Sequence, residues 1–472
     1  MRGKMFALPS DIDFTGIDPR TTFIVGGSVR DLLLGRAPLD IDIATAADPR
    51  AFAQQLAERL SGSWVEIGKS ELTIHRVVDG SRIFDVSALH GGEIEEDLRR
   101  RDFTVNAMAA DAATGEIIDC TGGGKDLEAA RIRMVSPAVF AADPVRLIRA
   151  YRLAAGLQFV IEPATRKAIA DNARRIGRSA GERIRDELLK ILRFSTSLDY
   201  LQLMHEDGLL TAIFPELAAL QHCRQGGHHR WDVFTHSLQA YRQLESMLSA
   251  PGAWLPAEVQ PQLWSPDDIP AATLKLAILL HDVGKPQSRQ VDKQGNVHFY
   301  GHGKKSADIA ARITRRLKMS RRDAGYIDFI IRSHIRPLHL FTAQGSGRVT
   351  DRAKTRFFTR CGRHTPDLLL HCMADIEAKG TGEQRNRQFV DFARHLLKEY
   401  LAAYLPRSSR RPLLNGRDLM GALGLSPSPL LGRLLRQIEE ARLAGDLRTR
   451  AEALTLAEKL IAADRRKSQS GR

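Results

Sequence analysis

The spacing of apolar residues along the chain changes character once, near Pro144. Before it, short apolar or alternating runs stand between polar and glycine-rich breaks: Phe23-Ile24-Val25, Ile41-Asp42-Ile43, Leu72-Thr73-Ile74 and Ile83-Phe84-Asp85-Val86. These runs predict strands, and the helical spacing of Ala51–Leu60 between them predicts an α/β unit over residues 23–135. After Pro144, the stretches Val145–Ala155, Ala164–Arg175, Arg183–Phe194 and Leu198–Glu206 carry apolar residues every three or four positions, and strand signals nearly vanish. The Pro- and Trp-containing residues 249–270 predict a loop inside the helical half, and Leu405–Pro412 predicts a linker before a last helical segment. The basic tail from Asp464 is expected to fray.

Length and charge refine this picture. A chain of 472 residues exceeds one hydrophobic core, and roughly 150 residues per domain suggests about three. Lys and Arg number 70 against 56 Asp and Glu, a net charge of +14 that points to a polyanionic partner, most simply nucleic acid. The hydrophobic share of 43% argues against global disorder. Cys120, Cys223, Cys361 and Cys372 form no CxxC pair, so a disulfide framework or thiolate zinc finger is not expected, which fits a reducing cytoplasm. No apolar run reaches about 18 residues, and the N-terminus has no signal-peptide core, so neither a membrane nor a secreted protein is expected.

The first chemical constellation lies in residues 24–45. An apolar strand ends in Gly26-Gly27, and a helix is expected from about Ser28, with Arg30 in its first turn. Amides at such a helix start can cradle a triphosphate, and glycine permits close approach. Asp40 and Asp42 lie two apart on a strand, so both carboxylates share one face while Ile41 and Ile43 share the other. Carboxylates held that close repel unless a divalent cation lies between them, the arrangement two-metal phosphoryl transfer requires. Asp85 is the candidate third carboxylate on a neighbouring strand. A bare DxD would be an exposed strand edge; the combined string of GG, VRD, LLG, DxD and AT is far more specific. It closely resembles the nucleotidyltransferase signature of the bacterial tRNA nucleotidyltransferase and poly(A) polymerase family.

That resemblance implies a polymerase-β-like α/β head with a small mixed sheet, Mg²⁺ at Asp40 and Asp42, CTP and ATP as substrates, and tRNA as partner. Two later stretches agree. Asp97–Met108 is similar to the family's second motif, which contacts the sugar and triphosphate: Arg101 supplies positive charge, and Asp102 and Asn106 are expected on one face of a helix. Asp143–Arg152 resembles the family's amino-acid template, with Arg149 and Arg152 beside it. Asp143 and Arg146, three apart, are expected on one helical face, where a carboxylate accepts from the exocyclic amine of C or A and a guanidinium donates to the ring nitrogen. Uracil and guanine present the opposite polarity. Taken alone, this pair would be a surface ion pair; the chain also has Ala142 where the family carries an acidic residue. Gly181–Leu188 resembles the neck motif that follows, and the likeness extends over residues 22–215.

A second constellation lies in the helical half. His281-Asp282 follows the apolar run Leu274–Leu280, with His236 upstream and Asp375 downstream. Imidazole and carboxylate ligands suit a divalent transition metal such as Mn²⁺, Ni²⁺ or Co²⁺, or Mg²⁺, and such a site activates water for phosphoester hydrolysis. The ordered set resembles the HD phosphohydrolase superfamily, in which His302 and His334 match positions of further ligands. His228-His229, with His222 and Cys223, fit no zinc-finger spacing and are read as an approach loop to that pocket. Leu414–Gly432 resembles the helical element that follows HD domains in bacterial members, with Ser428 where the family usually has Gly.

The resemblance therefore implies four parts: an α/β head over 1–138, an all-α neck over 139–215, an all-α HD domain over 216–405, and a helical tail over 406–472. The expected activity is addition of C, and possibly A, to a tRNA 3′ end. Only Val86–Asp97 separates the third carboxylate from the arginine-rich motif; family members that add only two cytidines share such a shortened loop, so a CC-adding variant is expected. Three readings compete: a full CCA-adding enzyme, a poly(A) polymerase, and a regulatory nucleotide-binding protein with only its HD hydrolase at work. Against a poly(A) polymerase, Gly68–His75 lacks the basic, aromatic character found there, and an HD domain is generally absent from those enzymes.

Overall fold

The computed structural model describes residues 21–38, 40–68, 73–80, 82–226, 230–254, 256, 270–345 and 349–470. The chain divides into two compact units, Met1–Pro215 and Glu216–Arg472.

Seven strands form one mixed sheet in the first unit: β1 (Thr22–Val25), β2 (Asp40–Thr45), β3 (Ser63–Ile67), β4 (Ile74–Asp79), β5 (Arg82–Ala88), β6 (Ala109–Asp111) and β7 (Ile117–Ile118). Their spatial order is β3-β4-β5-β2-β1-β6-β7. β2 and β5 pair in parallel, while the other neighbours are antiparallel. Register decides the chemistry of the two faces. Ile41 lies opposite Phe84 and Ile43 opposite Val86, so one face is apolar and fully buried. Against it packs the helix Pro49–Arg59 through Phe52, Ala53, Leu56 and Ala57; Asp48 caps that helix by accepting from the Arg50 amide at 2.9 Å. The alternate residues face the other way. Asp42 pairs with Asp85, and Asp85 pairs in turn with Arg76 on β4.

Helices complete this unit. Arg146–Leu157 buries Leu147, Ile148, Tyr151 and Ala154, and packs on Gly181–Leu192. A short parallel pair, Arg131–Ile132 with Val160–Ile161, ties the head to the segment before Pro163–Asn172.

In the second unit, Ala271–Leu280 is the central helix, with every residue from Thr273 to Leu280 buried. Around it stand Val233–Ser249, Arg321–Ser333 and Thr365–Glu377. A hairpin, Arg289–Val291 with Val297–Phe299, leads into His302–Arg316. The C-terminal helices Gly416–Leu423, Pro429–Ala444 and Arg450–Ser470 share a small core of Leu419, Leu434, Ile438, Ala453 and Ala457. Among the described residues, no helix is long and apolar enough to cross a membrane.

Several elements differ from the expectations above. The strand placed at 72–74 begins at Ile74 and runs to Asp79, and Leu72 lies outside the described residues. β3 and β6 carry no clear period-2 signal: β3 is mostly exposed on both faces, and β6 is an Ala-Ala-Asp run. The stretch Ala164–Arg175 is a helix only to Asn172, then tightens into 3₁₀ turns over Ala173–Arg178. The expected linker at 405–412 opens with the helix Leu405–Ser408, where Arg407 donates to Leu443 O at 3.0 Å. The tail is helical through Ser470. Most of the 249–270 loop, and His228 and His229, lie outside the described residues.

Candidate functional site

In the first unit, the polar face of the sheet meets the start of the helix Gly27–Leu33. Ser28 staples the two: its hydroxyl donates to Asp40 O at 3.1 Å and accepts from the Asp42 amide at 2.9 Å. Gly26 has φ +73°, and a Cβ there would come within 2.8 Å of an Arg101 guanidinium nitrogen. The positive φ is what favours glycine; a side chain there would also displace the Arg101 guanidinium. Asp40, Asp42 and Asp85 line a cavity of about 520 Å³ with Gly26, Gly27 and the guanidinium groups of Arg30, Arg101, Arg146, Arg149 and Arg152.

Burial, with the charges of Asp85 and Asp40 added, pushes the Asp42 carboxyl up to about 6 despite Arg101 nearby. Three converging carboxylates, one of them buried and raised in pKa by the other two, fit a divalent cation. Asp85 is gripped from its other side by Arg76, whose Nε and a terminal nitrogen donate at 2.8 and 2.7 Å. Arg30, Arg101, Arg149 and Arg152 are held in place by acids. Arg30 forks onto Asp31 and donates to Asn106 Oδ1 at 2.6 Å; Arg101 bonds Asp97 at 2.8 Å. Arg149 joins Asp102 at 3.0 Å to Glu187 at 3.2 Å, and Arg152 also bonds Glu187.

Two local expectations are corrected. Asp102 and Asn106 do not share a helix face: Phe103 is extended, bridged to Met134, and only Thr104–Asn106 forms a 3₁₀ turn. Asn106 still approaches Asp102, at 3.5 Å. Asp143 precedes Pro144 and is extended, φ −146° and ψ 97°, outside the helix that begins at Arg146. Its carboxylate is clasped by Arg183 at 2.7 and 3.0 Å. Against the cost of burial, that fork and Arg146 hold its pKa below the usual range. Arg146 Nε stands 4.0 Å from Asp143 and is buried without a hydrogen-bond partner.

The second unit holds a buried histidine and aspartate cluster. His236, His281 and Asp375 offer ligand atoms within 4.8 Å of one another, and so do Asp282, His302 and His334. Backbone carbonyls fix three of the imidazoles: Nδ1 of His281, His302 and His334 bonds the carbonyls of Ile278, Phe299 and Ile331 at 2.7, 2.8 and 2.6 Å. Donation from Nδ1–H turns each Nε2 lone pair towards the cluster. His302 Nε2 and His334 Nε2 face each other at 3.2 Å, and Asp282 Oδ1 is buried with no hydrogen bond. Opposed lone pairs and an orphaned carboxylate oxygen fit divalent metal ions. Burial disfavours charge on His281, yet Asp282 and Asp375 raise its pKa to about 10, so a proton and a divalent cation compete for its Nε2; burial, with His281 and His302, lowers that of His334 to about 3.

Sequence matches run along both units. Residues 22–91 and 84–133 match the poly(A) polymerase head domain, and 158–221 the "Probable RNA and SrmB-binding site of polymerase A". Residues 233–355 match the HD domain, ending before Asp375, and 378–457 match domain 2 of tRNA nucleotidyltransferase. An A-adding tRNA nucleotidyltransferase of Deinococcus radiodurans is 35% identical over 92% of this chain and 94% of its own. The chain belongs to the tRNA nucleotidyltransferase family. A CC-adding member from Thermus thermophilus is 33% identical, covering 94% of both chains. The solved Thermotoga maritima CCA-adding enzyme complexed with tRNA-CCA shares the fold, with a TM-score of 0.61 at 22% identity over 93% of this chain and 91% of that one. This nucleotidyltransferase thus has the family's polymerase head and mixed sheet, followed by a mostly helical remainder with an HD domain.

Other side chains at the two sites escaped the sequence reading. Arg76 and Ser28 act through strand register and a helix start, which no local motif reports. Lys285 contacts Asp282 at 2.6 Å, and its place four residues after His281 could have marked it. His371 lies one helical turn before Asp375, fully buried with both ring nitrogens unpartnered, its ring 5.3 Å from that of His281. The His-x-x-x-Asp spacing is the signal that could have found it.

Proposed function

We propose that this protein adds cytidines from CTP to the 3′ end of tRNA and stops after two. Convergence of Asp40, Asp42 and Asp85 on one arginine-lined cavity carries the reading. In this proposal, Asp40 and Asp42 hold Mg²⁺ and Asp85 supports them. Magnesium there supplies charge neutralisation for the triphosphate and a lower pKa for the attacking hydroxyl. Arg30 and Arg101, held by Asp31 and Asp97, bind phosphate oxygens, and Asn106 and Asp102 orient the sugar. The four expected parts then divide the work: head 1–138, neck 139–215, HD domain 216–405, tail 406–472. The basic excess tracks tRNA phosphates.

Base choice is assigned to Asp143 and Arg146, with Arg149 and Arg152 below them. Arg146 lines the cavity, which supports it as a donor to an incoming base. Arg146→Ala is expected to relax discrimination against UTP by about tenfold or more while tRNA affinity changes little. Unchanged nucleotide preference in single-addition kinetics would show the residue to be structural.

Product length rests on the connection after β5. It consists of a turn at His90–Gly92 and the short helix Ile94–Arg99, with no room for the long flexible loop that resets the pocket for ATP in family members completing CCA. An A-adding role is the second reading, favoured by the Deinococcus radiodurans relative. Purified protein given CTP is expected to extend tRNA lacking its end by two residues, and to add A to tRNA ending in CC at least about a hundredfold more slowly. Efficient A addition to CC ends, or full CCA synthesis, overturns the CC assignment.

The HD cluster is proposed as a separate phosphohydrolase. His236, His281, Asp282 and Asp375, with His302 and His334, would hold a transition metal such as Mn²⁺, Ni²⁺ or Co²⁺. Such a metal supplies a more acidic water and neutralises phosphate charge. The reaction assigned is opening of a 2′,3′-cyclic phosphate at an RNA end. Water oxygen bonds to phosphorus, one ring P–O bond breaks, and the proton passes to the leaving ribose oxygen.

A further inference from the structure

A row of three charged side chains crosses the polar face of the sheet. Arg76 on β4 stands directly opposite Asp85 on β5, and Asp85 stands opposite Asp42 on β2. Their strand neighbours Val77, Phe84 and Val86 are fully buried on the other face, which fixes the side on which the row lies. The contact between Arg76 and Asp85 is a fork. Nε donates to Oδ1 at 2.8 Å and a terminal nitrogen to Oδ2 at 2.7 Å, so each carboxylate oxygen takes one bond. Among the described residues, Asp85 accepts no other side-chain hydrogen bond. Asp85 lines the head cavity and Arg76 does not, so the guanidinium holds the carboxylate from behind. The hydrogen bonds to Asp85, with the charges of Asp40 and Asp42 added, raise the pKa of Arg76 above its usual value.

Each carboxylate oxygen offers two lone pairs. A planar guanidinium forked across both oxygens fills the sector between them, the same sector that an ion chelated by both oxygens needs. One lone pair on each oxygen remains, so while the fork holds a cation can take Asp85 through a single oxygen only. Divalent ions differ in what they make of that restriction. Mg²⁺ demands a near-ideal octahedron with ligands at about 2.0–2.1 Å, whereas Ca²⁺ takes roughly six to eight oxygens at longer range and readily accepts both oxygens of one carboxylate. We propose that Arg76 is a positioning residue that restricts Asp85 to one-oxygen coordination and so biases the head site towards Mg²⁺ over Ca²⁺. The inference rests on the two-metal reading of Asp40, Asp42 and Asp85, and adds the residue that selects the ion. Charge alone would not discriminate, because a neighbouring cation disfavours both divalent ions alike. The discrimination lies in the planar fork, which a lysine ammonium cannot form.

Calorimetric titration of Mg²⁺ and of Ca²⁺ into the full chain tests this without turnover. Asp42→Asn is titrated in parallel, so that the difference counts binding at the head and not at the HD cluster. Arg76→Gln and Arg76→Lys are each expected to lower the ratio of the Ca²⁺ to the Mg²⁺ dissociation constant about tenfold, chiefly through tighter Ca²⁺ binding. In Mg²⁺-driven addition of C to tRNA, half-inhibition by Ca²⁺ is expected at an about tenfold lower concentration in both variants. Arg76→Lys keeps the charge and the long stem, which guards against a variant that fails to fold. An unchanged ratio in Arg76→Lys overturns selection by the fork, and equal weakening of both ions in both variants reduces Arg76 to a structural role. Either result leaves the two-metal reading standing so long as the wild type binds Mg²⁺ in an Asp42-dependent way. Absence of any Asp42-dependent binding in the wild type overturns that reading, and selection by Arg76 with it.

Discussion

Asp42→Asn is expected to lower nucleotide addition by about three orders of magnitude or more, with the fold intact. The reason is geometric. Asp42 stands opposite Asp85 in the parallel pair and shares its strand face with Asp40. Burial and both neighbours press on its charge, raising its pKa to about 6. Asparagine preserves shape and removes the charge a cation requires. Stability should move the other way. A carboxyl whose folded pKa is raised opposes folding above that pKa, and the penalty fades as pH falls from about 6 towards the unfolded value of 3.8. The variant is therefore expected to melt no lower than the wild type at pH 7, with any advantage shrinking on acidification. Asp85→Asn also removes a partner of Arg76, so it combines lost turnover with an unpaired guanidinium on the sheet face. Primer-extension rates and thermal melts on purified variants check both statements. Near-normal addition by the Asp42 variant would remove the two-metal assignment.

The sequence made the face of Asp40 and Asp42 legible because strand alternation is local: buried Ile41 and Ile43 force their polar neighbours to the other side. It could not make Arg76 legible, because that residue reaches the site through β4 pairing with β5 and β5 with β2, contacts set by long-range register. Helical spacing located Arg146–Leu157 within two residues at either end, but failed one turn earlier. Proline at 144 disfavours the α conformation at 143, so Asp143 turned out extended and within reach of Arg183, a partner 40 residues away. In the helical half, the residues set apart as metal ligands gather as two clusters. What the pattern missed there includes His371, whose polarity is hidden in apolar surroundings: it lies between Leu370 and Cys372 on a helix buried nearly all round.

Asp282→Ala is expected to eliminate metal-dependent phosphohydrolysis while nucleotide addition continues. Asp282 is 1% exposed and lies among ligands from both clusters, 3.1 Å from His281, 3.8 Å from His236 and 3.4 Å from His302. Removing it takes away the carboxylate nearest both histidine sets and leaves the buried Lys285 without its anionic partner. Loss of a buried pair's partner costs stability, about 3 kcal/mol where no water reaches the remaining charge. Asp282→Asn, which keeps the volume, is therefore the control against unfolding. The two chemistries should separate, because the carboxylates of the head and the HD ligands belong to different compact units. Hydrolysis is expected to survive Asp42→Asn, and nucleotide addition to survive Asp282→Asn. Chelation should abolish hydrolysis, and Mn²⁺, Ni²⁺ or Co²⁺ should restore it better than Mg²⁺, since imidazole nitrogen favours those ions over magnesium. The assay uses 2′,3′-cAMP and tRNA ending in a cyclic phosphate, with and without added metal. Equal turnover by wild type and Asp282→Asn would assign the phosphatase signal to a contaminant and reduce the histidine cluster to a structural role.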